Sequence, residues 1–163
     1  MGKRFLQAAA ITLCGLYATG ATAAESHAHH NHLSLIVGLA GEEQDGHYEN
    51  GTVVGLDYIR WLNHHWGIGA TFEMETFGDN HKRHGILAVP ISFRPGGGNW
   101  RLFGAPGVEF KEPWKADKAM FRLGAGYSFH LNERWSISPE AQIDFVEGGT
   151  TVYVLAVAIG IGF

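Results

Sequence analysis

The sequence predicts an all-β chain: an eight-stranded antiparallel up-and-down transmembrane β-barrel. Three observations carry the prediction. Segment 151–163 alternates bulky apolar residues (Tyr153, Leu155, Val157, Ile159, Ile161, Phe163) with small ones (Val152, Val154, Ala156, Ala158, Gly160, Gly162). That is the pattern of a strand with a greasy outer face and a crowded inner face. Seven earlier segments repeat the same period of two. In them the charged residues Asp57, Glu73, Glu75, Arg101, Arg122, Glu140 and Asp144 fall opposite the bulky apolar face.

The first 24 of the 163 residues form a cleavable export signal. Lys3 and Arg4 precede an apolar run to about Tyr17, and Ala21-Thr22-Ala23 supplies the small-residue cleavage site. The run falls short of the roughly 20 residues that a spanning helix needs. The one cysteine, Cys14, lies within this signal, so the mature chain has no disulfide framework. Leu13 stands where a lipoprotein signal needs a small residue, which argues against lipid attachment. Residues 25–31 make a histidine-rich leader and 32–163 the barrel, one domain by length. Without Lys3 and Arg4, ten basic residues face 16 acidic ones, a formal charge of −6 with histidine neutral. Nucleic acid rewards the opposite sign and is excluded as a partner. Mean hydropathy is near zero, as it must be where lipid-facing and lumen-facing residues alternate.

Segment 32–41 places Leu33, Leu35, Val37 and Leu39 on one face, and 52–62 places Val54, Leu56 and Tyr58 out with Asp57 in. Segment 66–77 turns Trp66, Ile68, Ala70, Phe72 and Met74 outward, and Glu73 and Glu75 inward. Segment 84–94 presents Leu87, Val89, Ile91 and Phe93. Its Pro90 cannot donate to a ladder, so a bulge or distorted pairing is expected there. Segment 99–111 is the least regular: Trp100, Leu102, Val108 and Phe110 face out, Arg101 and Glu109 in, and Pro106 is expected to interrupt it. Segment 119–131 sets Phe121, Leu123, Ala125, Tyr127 and Phe129 against Arg122, Ser128 and His130. Segment 135–145 is the clearest: Trp135, Ile137, Pro139, Ala141, Ile143 and Phe145 alternate with Ser136, Ser138, Glu140, Gln142 and Asp144.

Strands of roughly 9–11 residues, tilted by about 45°, cross a bilayer. Eight make the smallest common closed barrel, and closure is required because hydrocarbon offers unpaired backbone groups no partner. The links 63–65, 95–98 and 132–134 read as short turns, whereas 42–51, 78–83 and 112–118 read as longer loops. Short turns face the periplasm in such barrels, which predicts periplasmic N- and C-termini. Trp66, Phe93, Trp100, Phe129, Trp135 and Phe163 cluster at the short-turn end as an interfacial belt. Phe72, Phe110, Phe121, Phe145 and Tyr153 form the opposite one. A soluble ligand-binding barrel would carry its apolar faces inward instead.

The signal peptide, the repeated turns Leu62-Asn63-His64-His65-Trp66 and Leu131-Asn132-Glu133-Arg134-Trp135, strand 135–145 and the ending Ile159-Gly160-Ile161-Gly162-Phe163 together resemble the small OmpA/OmpX-type barrels. The resemblance spans the mature chain and is one of architecture. It implies a monomer in the outer membrane of a Gram-negative bacterium, with outer-membrane lipid and the barrel-assembly machinery as partners. It also implies that the machinery reads Phe163 as its assembly signal.

Three chemistries are then open. Asp57, Glu73, Glu75, Glu140 and Asp144 face Arg94, Arg101 and Arg122, a network that either plugs the lumen with paired charges or lines a narrow ion path. All ten histidines lie in the mature chain. His27, His29, His30 and His32 crowd its start, and His64 and His65 occupy the first short turn. Neutral imidazole suits zinc, copper or nickel, and a histidine-rich tract binds them without a preformed cage. No cofactor is required by the fold. His47, His81 and His84 lie near the acidic longer loops, as solvated polarity or a cation-capturing rim. Finally, Ser128, His130 and Glu140 could compose a Ser-His-acid trio, as in outer-membrane barrels that modify lipid A. The order of Ser and His is reversed from the His-x-Ser pair of the deacylase family, and the trio faces the lumen. The sequence therefore favours a structural or surface-interaction role, with the lipid A-modifying enzyme and the narrow channel as alternatives.

Overall fold

The computed structural model describes residues 30–44, 46–78, 82–111 and 115–163. The export signal and His27 and His29 lie outside the described residues. The strands are β1 Asn31–Gln44, β2 His47–Trp61, β3 Trp66–Phe77, β4 Lys82–Ala88, β5 Ile91–Phe93, β6 Trp100–Lys111, β7 Lys115–Tyr127, β8 Phe129–His130, β9 Trp135–Val146 and β10 Thr150–Gly162. Every described pairing is antiparallel, and β10 pairs with both β9 and β1, so the sheet closes on itself. Eight staves make the barrel, because β4 with β5 and β7 with β8 are single staves that each lose one step of ladder.

Prolines make both gaps. Ala88 faces Thr71 and Ile91 faces Ile68, so the register runs unshifted across Pro90. The Pro90 carbonyl still accepts from Gly69 N–H at 3.0 Å, and Val89 N–H donates to the Pro106 carbonyl at 2.9 Å. Only the donor that proline lacks is lost. The distortion expected at Pro90 is thus an interrupted pairing and no bulge. The second gap falls where Pro139 stands across from Tyr127, between the pairs Gly126–Glu140 and Phe129–Ile137. Pro106 departs from expectation: β6 runs through it without a break, because its carbonyl pairs and only its missing N–H goes unused. The one register shift on this stave lies further on, between Glu109 and Phe110.

The period of two sorts the side chains as the sequence predicts. Leu39 is 66% exposed and Leu155 59%, whereas their inward neighbours Ala40 and Val154 are buried. Inside, Ile36, Ala40, Val53, Phe77, Val152, Val154, Ala156 and Ala158 form one apolar cluster against the β10–β1–β2 wall. Ile86, Ala88, Ala105, Met120 and Val146 form a second across β4, β6, β7 and β9. Small residues let large ones cross the lumen. Phe103 points inward on β6 directly opposite Gly124 on β7, and its ring occupies the space a Gly124 side chain would need.

Links differ from the sequence reading. β1 and β2 stay paired up to Gln44 and His47, so most of the supposed ten-residue loop 42–51 is ladder. Phe77 pairs with Lys82, and Lys111 with Lys115. Polar residues such as Glu42, Tyr48 and Asn50 were read as loop because they break the apolar alternation. Backbone pairing needs no apolar side chain, and Asp45-Gly46 is a favoured two-residue hairpin turn. At the other end the two Leu-Asn-x-x-Trp repeats fold alike. Asn63 Oδ1 accepts from His65 and Trp66 N–H, both at 2.8 Å, and Asn132 Oδ1 accepts from Arg134 and Trp135 N–H, both at 2.9 Å. Each asparagine satisfies two orphan donors and launches the tryptophan into the next strand.

Gly124→Val forces a branched side chain against the Phe103 ring. It should lower the unfolding free energy by about 1–3 kcal/mol, measured by urea titration of the refolded protein, whereas the outward Ala125→Val should change it by less than half as much.

Candidate functional site

Charge inside the barrel is organised around two arginines, because an inward strand position has no water to turn to. Arg122 on β7 stands directly across from Asp144 on β9. Its Nε and Nη2 donate to the two Asp144 oxygens at 2.6 and 2.7 Å, a bidentate fork. The same Nη2 lies 2.6 Å from Glu73 Oε2 on β3. Arg101 on β6 holds the second group: Nη1 lies 2.9 Å from Asp57 Oδ2 and 3.3 Å from Glu140 Oε1, and Nε donates to Ser92 Oγ at 3.2 Å. Its guanidinium also covers the Phe103 ring at 4.2 Å. Thr71 Oγ1 donates to the other Asp57 oxygen at 2.6 Å, and Gln142 Nε2 to Glu140 Oε2 at 3.4 Å.

These groups tie β2, β3, β6, β7 and β9 together through the interior. Arg122, Glu73 and Asp144 are 2% exposed or less. Of the eight residues expected to share the network, six do. Glu75 is fully buried, within electrostatic reach of Asp144, Glu73, Glu109 and Arg122, yet neither of its oxygens finds a hydrogen-bond partner among the described residues. Arg94 sits apart at the other end, its guanidinium 3.5 Å from the centre of the Trp61 ring. Sequence reasoning did not anticipate the His84 Nδ1 to Glu109 Oε1 contact of 3.8 Å. Both lie on inward faces, but only the β4–β6 register brings them together.

The Ser128, His130 and Glu140 trio is not assembled. Ser128 Oγ is 3.0 Å from Ser138 Oγ, Glu140 is held by Arg101 and Gln142, and His130 is exposed on the short β8. A different serine–histidine contact exists: His32 Nε2 lies 3.0 Å from Ser136 Oγ and its Nδ1 3.2 Å from Ser34 Oγ. Two serines flank this imidazole, and among the described residues no carboxylate hydrogen-bonds to it to serve as the third member of a hydrolytic triad.

Among the histidines expected to bind metal, His30 Nδ1 is 3.4 Å from the Trp61 carbonyl, and His64 and His65 are exposed in their turn, with His65 stacked 6.3 Å from Phe93. Among the described residues no three His, Cys, Asp or Glu side chains converge on a metal position. Phe163 is 59% exposed, and its N–H donates to the Asn31 carbonyl at 3.0 Å, placing it beside the start of β1.

No family model and no curated protein matches this chain. Solved structures do match. Neisserial surface protein A aligns with 82% of this chain and 97% of its own at a TM-score of 0.61 and 6% identity. OprG of Pseudomonas aeruginosa aligns with 85% and 98% at 0.51 and 12%. A de novo designed transmembrane β-barrel aligns with 83% and 98% at 0.52 and 10%. At these identities the likeness is one of fold: a closed eight-stranded antiparallel barrel of the kind small outer-membrane proteins adopt.

Truncating Arg122 strands two buried carboxylates. Arg122→Ala should cost about 3–5 kcal/mol in urea unfolding, whereas the joint change Arg122→Met, Asp144→Leu, Glu73→Leu should recover most of that loss.

Proposed function

We propose that this chain is an outer-membrane protein whose barrel serves as a rigid stalk for β-hairpins presented outside the cell. One observation carries the reading: apolar side chains coat the barrel's outside while charges are gathered within, six of them in ion-paired groups excluded from water. A chain folding in water buries apolar surface and exposes charge, and here the arrangement is inverted. The aromatic pairs Trp66–Phe93 at 4.8 Å and Trp100–Tyr127 at 5.2 Å ring the end that carries the termini, as an interfacial girdle requires. At the opposite end β1 and β2 continue as a polar hairpin past the apolar girdle. That projection is a better guide to orientation than link length, and it supports a reading with the hairpins outside and both termini in the periplasm. The interior favours a stalk over a channel, because Arg and Glu side chains fill what little space eight strands enclose.

Within this reading, exposed Phe163 beside Asn31 is the group that assembly machinery would grasp. The histidine-rich leader supports a second role, in capture of zinc, copper or nickel: His30, His32 and His130 share one end of the barrel, and His27 and His29 precede His30 in the sequence. Copper titration of the mature protein should show saturable binding that is lost when residues 25–30 are removed; equal binding by both forms ends the metal role.

The mature chain has no native cysteine, so orientation is open to direct test. Glu43→Cys should react with a membrane-impermeant maleimide on intact cells, and Glu133→Cys only after the outer membrane is broken; the reverse pattern inverts the assignment. Leu155→Arg, near mid-barrel on the outer face, should cost about 2–4 kcal/mol in lipid. A wild-type chain that stays folded without detergent would overturn the membrane reading.

A further inference from the structure

At the end where β10 finishes beside the start of β1, the donors of Trp61 and Arg94 have no acceptor among the described residues. Trp61 turns inward at the close of β2 and is 6% exposed, and its indole N–H meets no acceptor among the described residues. Arg94 follows β5 and lies over that ring at 3.5 Å. A cation–π contact engages the face of a guanidinium and leaves its in-plane N–H fork unspent. Among the described residues no carboxylate pairs with Arg94; the carboxylates Asp57 and Glu140 are taken by Arg101. A guanidinium stays cationic at neutral pH.

The rest of the mouth is of the same character. His32 and His130 are both within electrostatic reach of Arg94. His130 stands across from Ser136, whose hydroxyl meets His32 at 3.0 Å. Ser128 and Ser138 lie beside them, 3.0 Å apart. The mouth is also reachable, because Arg94, His32 and Ser128 are half-buried and His130 is exposed. An orphaned buried N–H is costly to leave unmade, and a guanidinium fork matches an oxyanion in shape and charge.

We propose that this mouth binds a phosphate group, held by the Arg94 fork and the Trp61 indole N–H and walled by His32, His130 and Ser136. Several acceptor oxygens arranged tetrahedrally can serve donors that approach from β2, the β5–β6 connection and β8 at once, where the two oxygens of a carboxylate would serve fewer. The group's source is either free phosphate or the phosphodiester of a lipid head. His32 and His130 are shared with the proposed metal role, but Arg94 and Trp61, the groups that hold the phosphate, are not metal ligands.

The test uses the mature chain refolded in an alkyl maltoside, with EDTA present so that no bridging metal contributes. Inorganic phosphate and, separately, dihexanoyl phosphatidylglycerol are titrated by calorimetry against a chloride control of equal ionic strength. Saturable binding of either probe is expected, weakened about tenfold by Arg94→Gln and severalfold by Trp61→Phe, which keeps the ring and removes only the N–H. Binding of the lipid alone assigns the group to a lipid head; binding of inorganic phosphate assigns it to a free anion. Failure of both probes to bind at tens of millimolar overturns the proposal, as does unchanged affinity in both variants. If strand circular dichroism shows that Arg94→Gln has not folded, Trp61→Phe decides alone, and wild-type affinity in it overturns the site.

Discussion

Charge that cannot face hydrocarbon must face inward, and in an eight-stranded barrel inward means dry. This constraint governs the rest of the molecule. A carboxylate sealed from water needs a cation or donors of its own, so each inward acid commits the position of something across the lumen. Arg122 meets Asp144 on the adjacent stave and Glu73 three staves away, while Arg101 gathers Asp57, Glu140 and Ser92. The pairs act as struts. They fix which staves face one another, and they do so in a medium where breaking one leaves an uncompensated charge.

The backbone obeys the same logic of satisfaction. Closure between β10 and β1 removes the open edge. At the two interrupted staves proline withholds a single donor while neighbouring carbonyls remain paired. The prolines are tolerable because a missing N–H is a lesser burden than an orphaned one. The paired asparagines of the Leu-Asn-x-x-Trp turns complete the accounting where the ladder must stop, each taking two N–H groups that no strand can reach.

Alternation alone made the fold legible, because it reports which face of each strand is apolar and depends on no partner. Asp57, Glu73, Glu75, Arg101, Arg122, Glu140 and Asp144 could all be placed inside on that basis. Their pairings could not, since Arg122 reaches Glu73 only through the stagger between staves, and stagger leaves no trace in a single sequence. The same limit hid His84 with Glu109, and His32 with Ser136, which come from opposite ends of the chain. Ser128 and His130 looked like partners because they are two apart on one strand, yet Ser128 meets Ser138 and His130 is exposed. Loop boundaries failed for a different reason: polar residues extend a ladder as readily as apolar ones, so the end of the girdle at Gly41 was mistaken for the end of the strand.

The two halves of the lumen are unlike, and the difference bears on what the barrel can do. Toward the hairpins, Glu73, Glu75, Glu109 and Asp144 crowd around one arginine beside an apolar wall of Ile36, Val53, Phe77 and Val152. Toward the termini, Arg94, Trp61 and two histidines present donors instead. A through-path for ions would have to pass both an acid-rich constriction and a donor-rich one, with Arg122 braced across the passage on the carboxylates of Asp144 and Glu73. Such a series of opposed fields suits a partition better than a conduit. A rigid partition keeps the hairpins at a fixed height above the girdle, and it leaves the donor-rich mouth as a surface chemically separate from the face that the hairpins present.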